Sequence, residues 1–145
     1  MKCRPFKSKE ASARALVFRL LLLVYIVAVA YLCFANFDKT PDIQKFIFGI
    51  PTDKLVHFCM FFPFPIIFFF ASDKRSSSMI KALSSFVLAC SYGCIFAGIT
   101  EIVQAMLPYR TEDLADFGAD CLAICSSALF TYIADIYTIV KNKKK

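Results

Sequence analysis

The sequence has a single histidine and no tryptophan among its 145 residues. It has no Walker loop, no dinucleotide fingerprint and no zinc-finger spacing, so nothing local marks a nucleotide or nucleic-acid module. No motif places a serine or cysteine nucleophile beside His57, which leaves nucleophilic catalysis without a sequence signature. No alternation of apolar and polar residues is visible, as the strands of a membrane barrel require. The net charge of +6 is carried by basic residues at the ends of apolar runs rather than along one soluble face. That distribution argues for membrane orientation and against a nucleic-acid partner.

What the sequence has is apolar surface. Apolar residues make up 59% of the chain, 17 of them Phe, and the mean hydropathy is strongly positive. A single soluble domain of this length has no interior large enough to hide that much. Of the seven cysteines, Cys33, Cys59, Cys90, Cys94, Cys121 and Cys125 fall inside apolar runs, where cysteine acts as a small hydrophobe and implies no disulfide framework. The Cys90/Cys94 and Cys121/Cys125 pairs are spaced for one helical face and are read as packing.

Four apolar runs, residues 15–37, 55–71, 82–106 and 117–140, each approach or exceed the roughly 20 residues that cross a bilayer as a helix. Backbone groups in lipid must be paired within their own segment, so the fold class is all-α, a single integral membrane domain over 1–145 with four transmembrane helices. Pro63 and Pro65 predict a kink in the second run. Ala28-Val29-Ala30 resembles a signal cleavage site, but the apolar run continues past it, so the segment is read as a retained first span. Thirteen Lys and Arg residues lie at the N-terminal end, in the second loop and in the tail, against four (Lys39, Lys45, Lys54 and Arg110) in the first and third loops. The positive-inside rule then puts both termini in the cytoplasm. In the first outer loop, Thr40-Pro41-Asp42 followed by Ile43, Phe46, Ile47 and Ile50 predicts a short helix lying on the membrane surface.

This topology gathers the polar residues. Asp53, Lys54 and His57 open the second span, Glu101 and Gln104 close the third, Arg110 lies in the third loop, and Asp116 and Asp120 open the fourth. All fall near the outer surface, where ionisable groups are expected to face the bundle interior. Ala89, Gly93, Ala97, Glu101 and Ala105 repeat every four positions, and Ala119, Ala123, Ser126 and Ser127 offer small residues on the fourth span. Close approach of these two helices should turn Glu101 toward Asp116 or Asp120. Asp53 and His57 are one turn apart and are expected to share the cavity, with Arg110 folding over the acids. Asp135 is expected to snorkel or to pair with tail lysines.

The same residues carry a family resemblance. Asp53-Lys54-Leu55-Val56-His57-Phe58, Glu101-Ile102-Val103-Gln104, Pro108-Tyr109-Arg110 and Asp116 look like the signature of VanZ-like membrane proteins, a family named after a component of glycopeptide-antibiotic resistance clusters. The resemblance is strongest over 53–123. It implies a compact helical protein of a cell membrane, the bacterial inner membrane where the likeness holds, with a role in the cell envelope. Asp120 stands where the family pattern usually has Asn, and Ala123 where it usually has Gly, so the site is more acidic than the pattern. Three readings of the cluster stay open in the sequence. It is a structural clasp, an extracytoplasmic ligand site, or a metal-dependent enzyme centre acting on a lipid or wall precursor. As a ligand site it would comprise Asp53, Lys54, His57, Glu101, Gln104, Arg110, Asp116 and Asp120, and excess acid favours a cationic or amine-bearing envelope ligand. With one histidine, no metal and no cofactor is assigned, and the only other partners implied are membrane lipids, which the tail lysines would meet at their headgroups. The oligomeric state is not legible.

Overall fold

The computed structural model describes residues 6–35, 46, 47, 49–72, 78–109 and 113–143. Helix α1 (Phe6–Phe34) leads to a short ribbon of β1 (Phe46–Ile47) and β2 (Ile50–Pro51). Then come α2 (Thr52–Phe61), α3 (Phe64–Ala71), α4 (Met79–Ala105) and α5 (Leu114–Lys143). With α2 and α3 counted as one span, four helical segments among the described residues are long and apolar enough to cross a membrane. The fold is therefore the all-α multi-pass bundle expected from the apolar runs. Leu16, Leu23, Val24, Val27, Ile80, Ile102 and Leu129 point outward. A surface of that kind is stable only where lipid is the solvent.

The second span breaks where the prolines predict. Pro63 and Pro65 have no N–H to give to the carbonyls of Cys59 and Phe61. The backbone nonetheless stays helical through Phe62 (φ −57°, ψ −39°) and Pro63 (φ −70°, ψ −19°), so α2 and α3 form one kinked span. Beside the break, the Tyr25 hydroxyl of α1 donates to the Met60 carbonyl.

Other helix ends are closed by side chains from neighbouring segments. Gln104 Nε2 donates to the Cys33 carbonyl at 3.1 Å, and the Tyr109 hydroxyl donates to the Phe34 carbonyl at 2.9 Å. These are two of the last carbonyls of α1, which have no partner within their own helix. At the opposite end of the bundle, Arg19 Nε of α1 donates to the Ala71 carbonyl that ends α3, at 3.2 Å.

Helix α5 packs chiefly on α4 and α2, while α1 packs on α3. Phe61, Phe64 and Phe68 of the kinked span meet Phe96 and Tyr92 of α4 at ring-centroid distances of 5.5–6.1 Å, which uses part of the phenylalanine excess. Gly93 of α4 lies close against the fully buried Ile124 of α5.

Three expectations need correction. The loop between the first two spans does not carry the expected helix at its described residues 46, 47 and 49–51. Phe46 pairs with Pro51 and Ile47 with Ile50 in an antiparallel ribbon, turned by Gly49 at φ +80°, a conformation that favours glycine and interrupts a helix. Thr40, Pro41, Asp42 and Ile43 lie outside the described residues. The small stripe of α4 runs Ala89, Gly93, Ala97, Thr100 and Gln104, whereas Ala105 is exposed. A strict four-residue repeat advances about 40° per step around a 3.6-residue helix, so a stripe facing one neighbour must take a three-residue step, here from Ala97 to Thr100. Asp135 does not snorkel, being buried with Asp120, Ile124, Ser127 and Ala128 on the inner face of α5. Lys141 sits over the Tyr137 ring instead, 5.9 Å from its centroid.

Candidate functional site

Three helix ends meet at one end of the bundle: the first turns of α2, the last turns of α4 and the first turns of α5. Their polar residues form two layers. The inner layer is His57, Glu101 and Asp120. His57 Nδ1 lies 3.1 Å from Asp120 Oδ1 and 3.3 Å from Oδ2. Glu101 Oε1 lies 3.9 Å from the same nitrogen. Asp120 is completely buried and His57 nearly so. An ionised Asp120 only accepts hydrogen bonds, so its pairing with His57 assigns the proton to Nδ1. Glu101 Oε1 is buried, yet among the described residues it has no hydrogen-bond partner. A buried carboxylate oxygen left in that state is costly unless a cation or proton meets it.

The outer layer is a rim around Lys54. Its Nζ lies 2.6 Å from Asp113, 2.9 Å from Asp116 and 3.3 Å from Asp53. Three carboxylates thus surround one ammonium, and the rim keeps a formal negative excess. Asp113 is also the N-cap of α5, where its Oδ1 accepts the Ala115 N–H at 2.9 Å. The Lys54 ammonium, helped by that backbone bond, holds the Asp113 carboxyl below the usual carboxylate range.

Between the ends of α4 and α5 a cleft of about 830 Å³ opens sideways. Its polar lining is Glu101 and Asp113, and its walls include Ile102, Met106, Leu114 and Phe117. Ile102, Met106 and Leu114 are all on the outward surface, so the cleft opens toward the lipid.

Of the residues singled out in the sequence, His57, Glu101 and Asp120 come together as a core, and Lys54, Asp53 and Asp116 as its rim. Asp53 faces solvent at the edge rather than sharing a cavity with His57. Gln104 does not belong to the site, because its side chain is committed to α1. Arg110 lies outside the described residues. Asp113 is a site residue that the motif reading missed. Its signal was present, since an Asp directly before the apolar run that starts at Leu114 is a helix-capping pattern.

The four paired cysteines also come near one another across α4 and α5, Cys90 beside Cys125 and Cys94 beside Cys121 and Cys125. They are free thiols.

Comparison with known proteins adds one relative. An uncharacterized protein of Schizosaccharomyces pombe is 33% identical over 114 residues, which is 78% of this chain and 60% of the relative. The chain thus spans 60% of the length of the curated relative it matches. No protein-family model matches the chain. No solved structure matches it either. The likeness to a fungal protein does not support placing the chain in a bacterial inner membrane.

Proposed function

We propose that this is a VanZ-like multi-pass membrane protein whose acidic cleft binds the cationic or amine-bearing headgroup of an envelope lipid. The observation that carries the reading is the cleft itself. Its apolar walls open to lipid, and its polar end is the pair of carboxylates Glu101 and Asp113, with a Glu101 oxygen buried and unpartnered among the described residues. Such a shape suits an amphiphile entering from the bilayer, with its chain along Ile102 and Met106 and its ammonium at the acids. The segments that carry the VanZ-like resemblance supply His57, Glu101 and Asp116 to the two layers, which supports a common site. A fungal relative favours a ligand that fungal membranes also contain, an aminophospholipid, over a wall precursor. The basic-residue count supports both termini in the cytoplasm and the site on the outer face of a cellular membrane.

The test is lipid retention by the full chain in nanodiscs containing phosphatidylethanolamine and phosphatidylglycerol, read by native mass spectrometry. Wild type should retain phosphatidylethanolamine selectively, and Glu101→Gln should retain at least about tenfold less, as expected for loss of one charge-assisted hydrogen bond. Equal retention of both lipids by wild type refutes the proposal. A Glu101→Gln protein that loses abundance and thermal stability together with retention points instead to a structural clasp. In cells, deletion and complementation scored under envelope-directed antibiotics, with lipid composition measured in parallel, tests the link to resistance.

A further inference from the structure

The inner layer has the composition and spacing of a metal centre. His57 of α2, Glu101 of α4 and Asp120 of α5 each offer one ligand atom, and these atoms all lie within 4.8 Å of one another. We propose that His57 Nδ1, Glu101 Oε1 and an Asp120 carboxylate oxygen bind one divalent transition-metal ion, zinc or a metal of similar preference. The inference deepens the proposed function, since it concerns Glu101 at the head of the same cleft.

Geometry is the first support. Nitrogen and oxygen ligands at about 2.0–2.2 Å from a tetrahedral zinc stand roughly 3.3–3.6 Å apart. The imidazole nitrogen here lies 3.1 Å from Asp120 and 3.9 Å from Glu101. Both sides are within about 0.6 Å of that spacing, and the third, between Glu101 and Asp120, is within 4.8 Å.

The unpartnered Glu101 oxygen is the second support. It is buried beside His57 and has no hydrogen-bond donor among the described residues, and a bound cation satisfies it. The choice of metal follows from the donors, because an imidazole with two carboxylates suits zinc, cobalt or iron, whereas magnesium and calcium favour all-oxygen sets.

The rim is not an equivalent site. Asp53, Asp113 and Asp116 also converge, but the Lys54 ammonium already lies within 3.3 Å of all three. The inner layer has no such resident cation among the described residues.

Binding needs the Nδ1 lone pair: an imidazolium releases its Nδ1 proton to solvent and a neutral Nδ1–H ring moves it to Nε2, and in both cases the ligand is the neutral imidazole with its proton on Nε2. Three protein ligands leave a fourth position open, next to the cleft that Glu101 lines. The ion would then present a Lewis-acidic centre to the phosphate of a headgroup in the cleft, with the ammonium left to Asp113 at its other side.

His57 is the only histidine in the chain, so its imidazole is an unambiguous reporter once any affinity tag has been removed. The full chain, in detergent free of aminophospholipid and stripped with chelator, is titrated with Co²⁺. One-to-one saturable binding with the d–d absorption of a four- or five-coordinate ion, displaced by Zn²⁺, is the expected result. Paramagnetically shifted imidazole resonances should accompany it. Glu101→Gln should weaken Co²⁺ binding at least tenfold, and Asp113→Asn tests the rim. No saturable binding, or unshifted imidazole resonances at saturating Co²⁺, overturns the proposal in wild type alone, so a variant that fails to fold does not shield it. Binding lost in Asp113→Asn and kept in Glu101→Gln puts the ion on the rim and overturns it too. Aminophospholipid retention without Co²⁺ binding sinks the metal site and leaves the lipid reading standing, and the converse result does the reverse.

Discussion

The same substitution at two glycines of α4, five residues apart, should change stability in opposite directions. A Cβ built on Gly93 lies 2.8 Å from Ile124 Cγ2, 3.2 Å from Ile124 Cδ1 and 3.1 Å from Phe64 Cδ1. Carbon atoms pack best at about 3.5–4.0 Å, so α5 and the kinked span must both retreat by roughly half an ångström or more. Ile124 is fully buried and Phe64 nearly so, which leaves neither a free direction in which to turn. Overpacking of this kind costs about 1–3 kcal/mol. Replacing Gly by Ala inside a helix returns at most about 1 kcal/mol through backbone entropy, so the clash wins. At Gly98 the built Cβ meets only Phe117 Cε2, at 3.7 Å, an ordinary contact, so the entropy gain is unopposed. Gly93→Ala should therefore lower the thermal unfolding temperature in detergent by several degrees, and Gly98→Ala should hold or raise it. The Gly93 variant has a functional consequence as well. Pushing α4 from α5 widens the 3.9 Å separation of Glu101 from His57, so ligand retention should fall with it. Ile124→Ala removes both clashing carbons of that residue, and the pair should be non-additive. A Gly93→Ala protein at least as stable as Gly98→Ala would refute this account of the α4–α5 contact.

A larger side chain at Gly98, which lines the cleft, should block it, so Gly98→Leu is expected to abolish selective lipid retention in nanodiscs while the protein still inserts at normal abundance. Gln104→Leu removes the hydrogen bond from α4 to the buried Cys33 carbonyl and should cost about 1 kcal/mol in detergent unfolding, with lipid retention intact, because Gln104 belongs to the α1–α4 tie. The Asp113 carboxyl is held below its ordinary value of 3.8. Its contribution is therefore complete above that value and is lost as pH falls through the lower folded value. The difference in unfolding temperature between wild type and Asp113→Asn should be constant near neutrality and should shrink only in acid below about pH 4. Reporter fusions after Lys81 and after Lys145 should read as cytoplasmic, and a fusion near Lys45 as extracytoplasmic. An outside signal from Lys145 would break the proposed orientation.

The sequence by itself determined the number of spans, their rough limits and the kink. Lipid imposes a length of about 20 apolar residues per helix and forbids unpaired backbone, and Pro63 removes a donor wherever it sits. It also brought His57, Glu101 and Asp120 to one depth, because each stands a few residues from a helix end on the same side. Tertiary structure decided which of those groups touch. The helical repeat is not four, so the position of Glu101 beside the buried stripe, rather than in its centre, depended on how α4 turns against α5 from Gly93 onward. Gln104 is polar and stands at the depth of the site residues, yet its side-chain amide is committed to the Cys33 carbonyl of α1. Asp135 looked like a surface anchor from its nearness to the tail, but the inner face of α5 runs through it. The separation into a rim closed by Lys54 and an inner triad with an unpartnered Glu101 oxygen depends on distances of 2.6–3.9 Å between three helices. Residue spacing along one chain cannot fix such distances, because they are set by the packing of side chains that meet only after the helices have assembled.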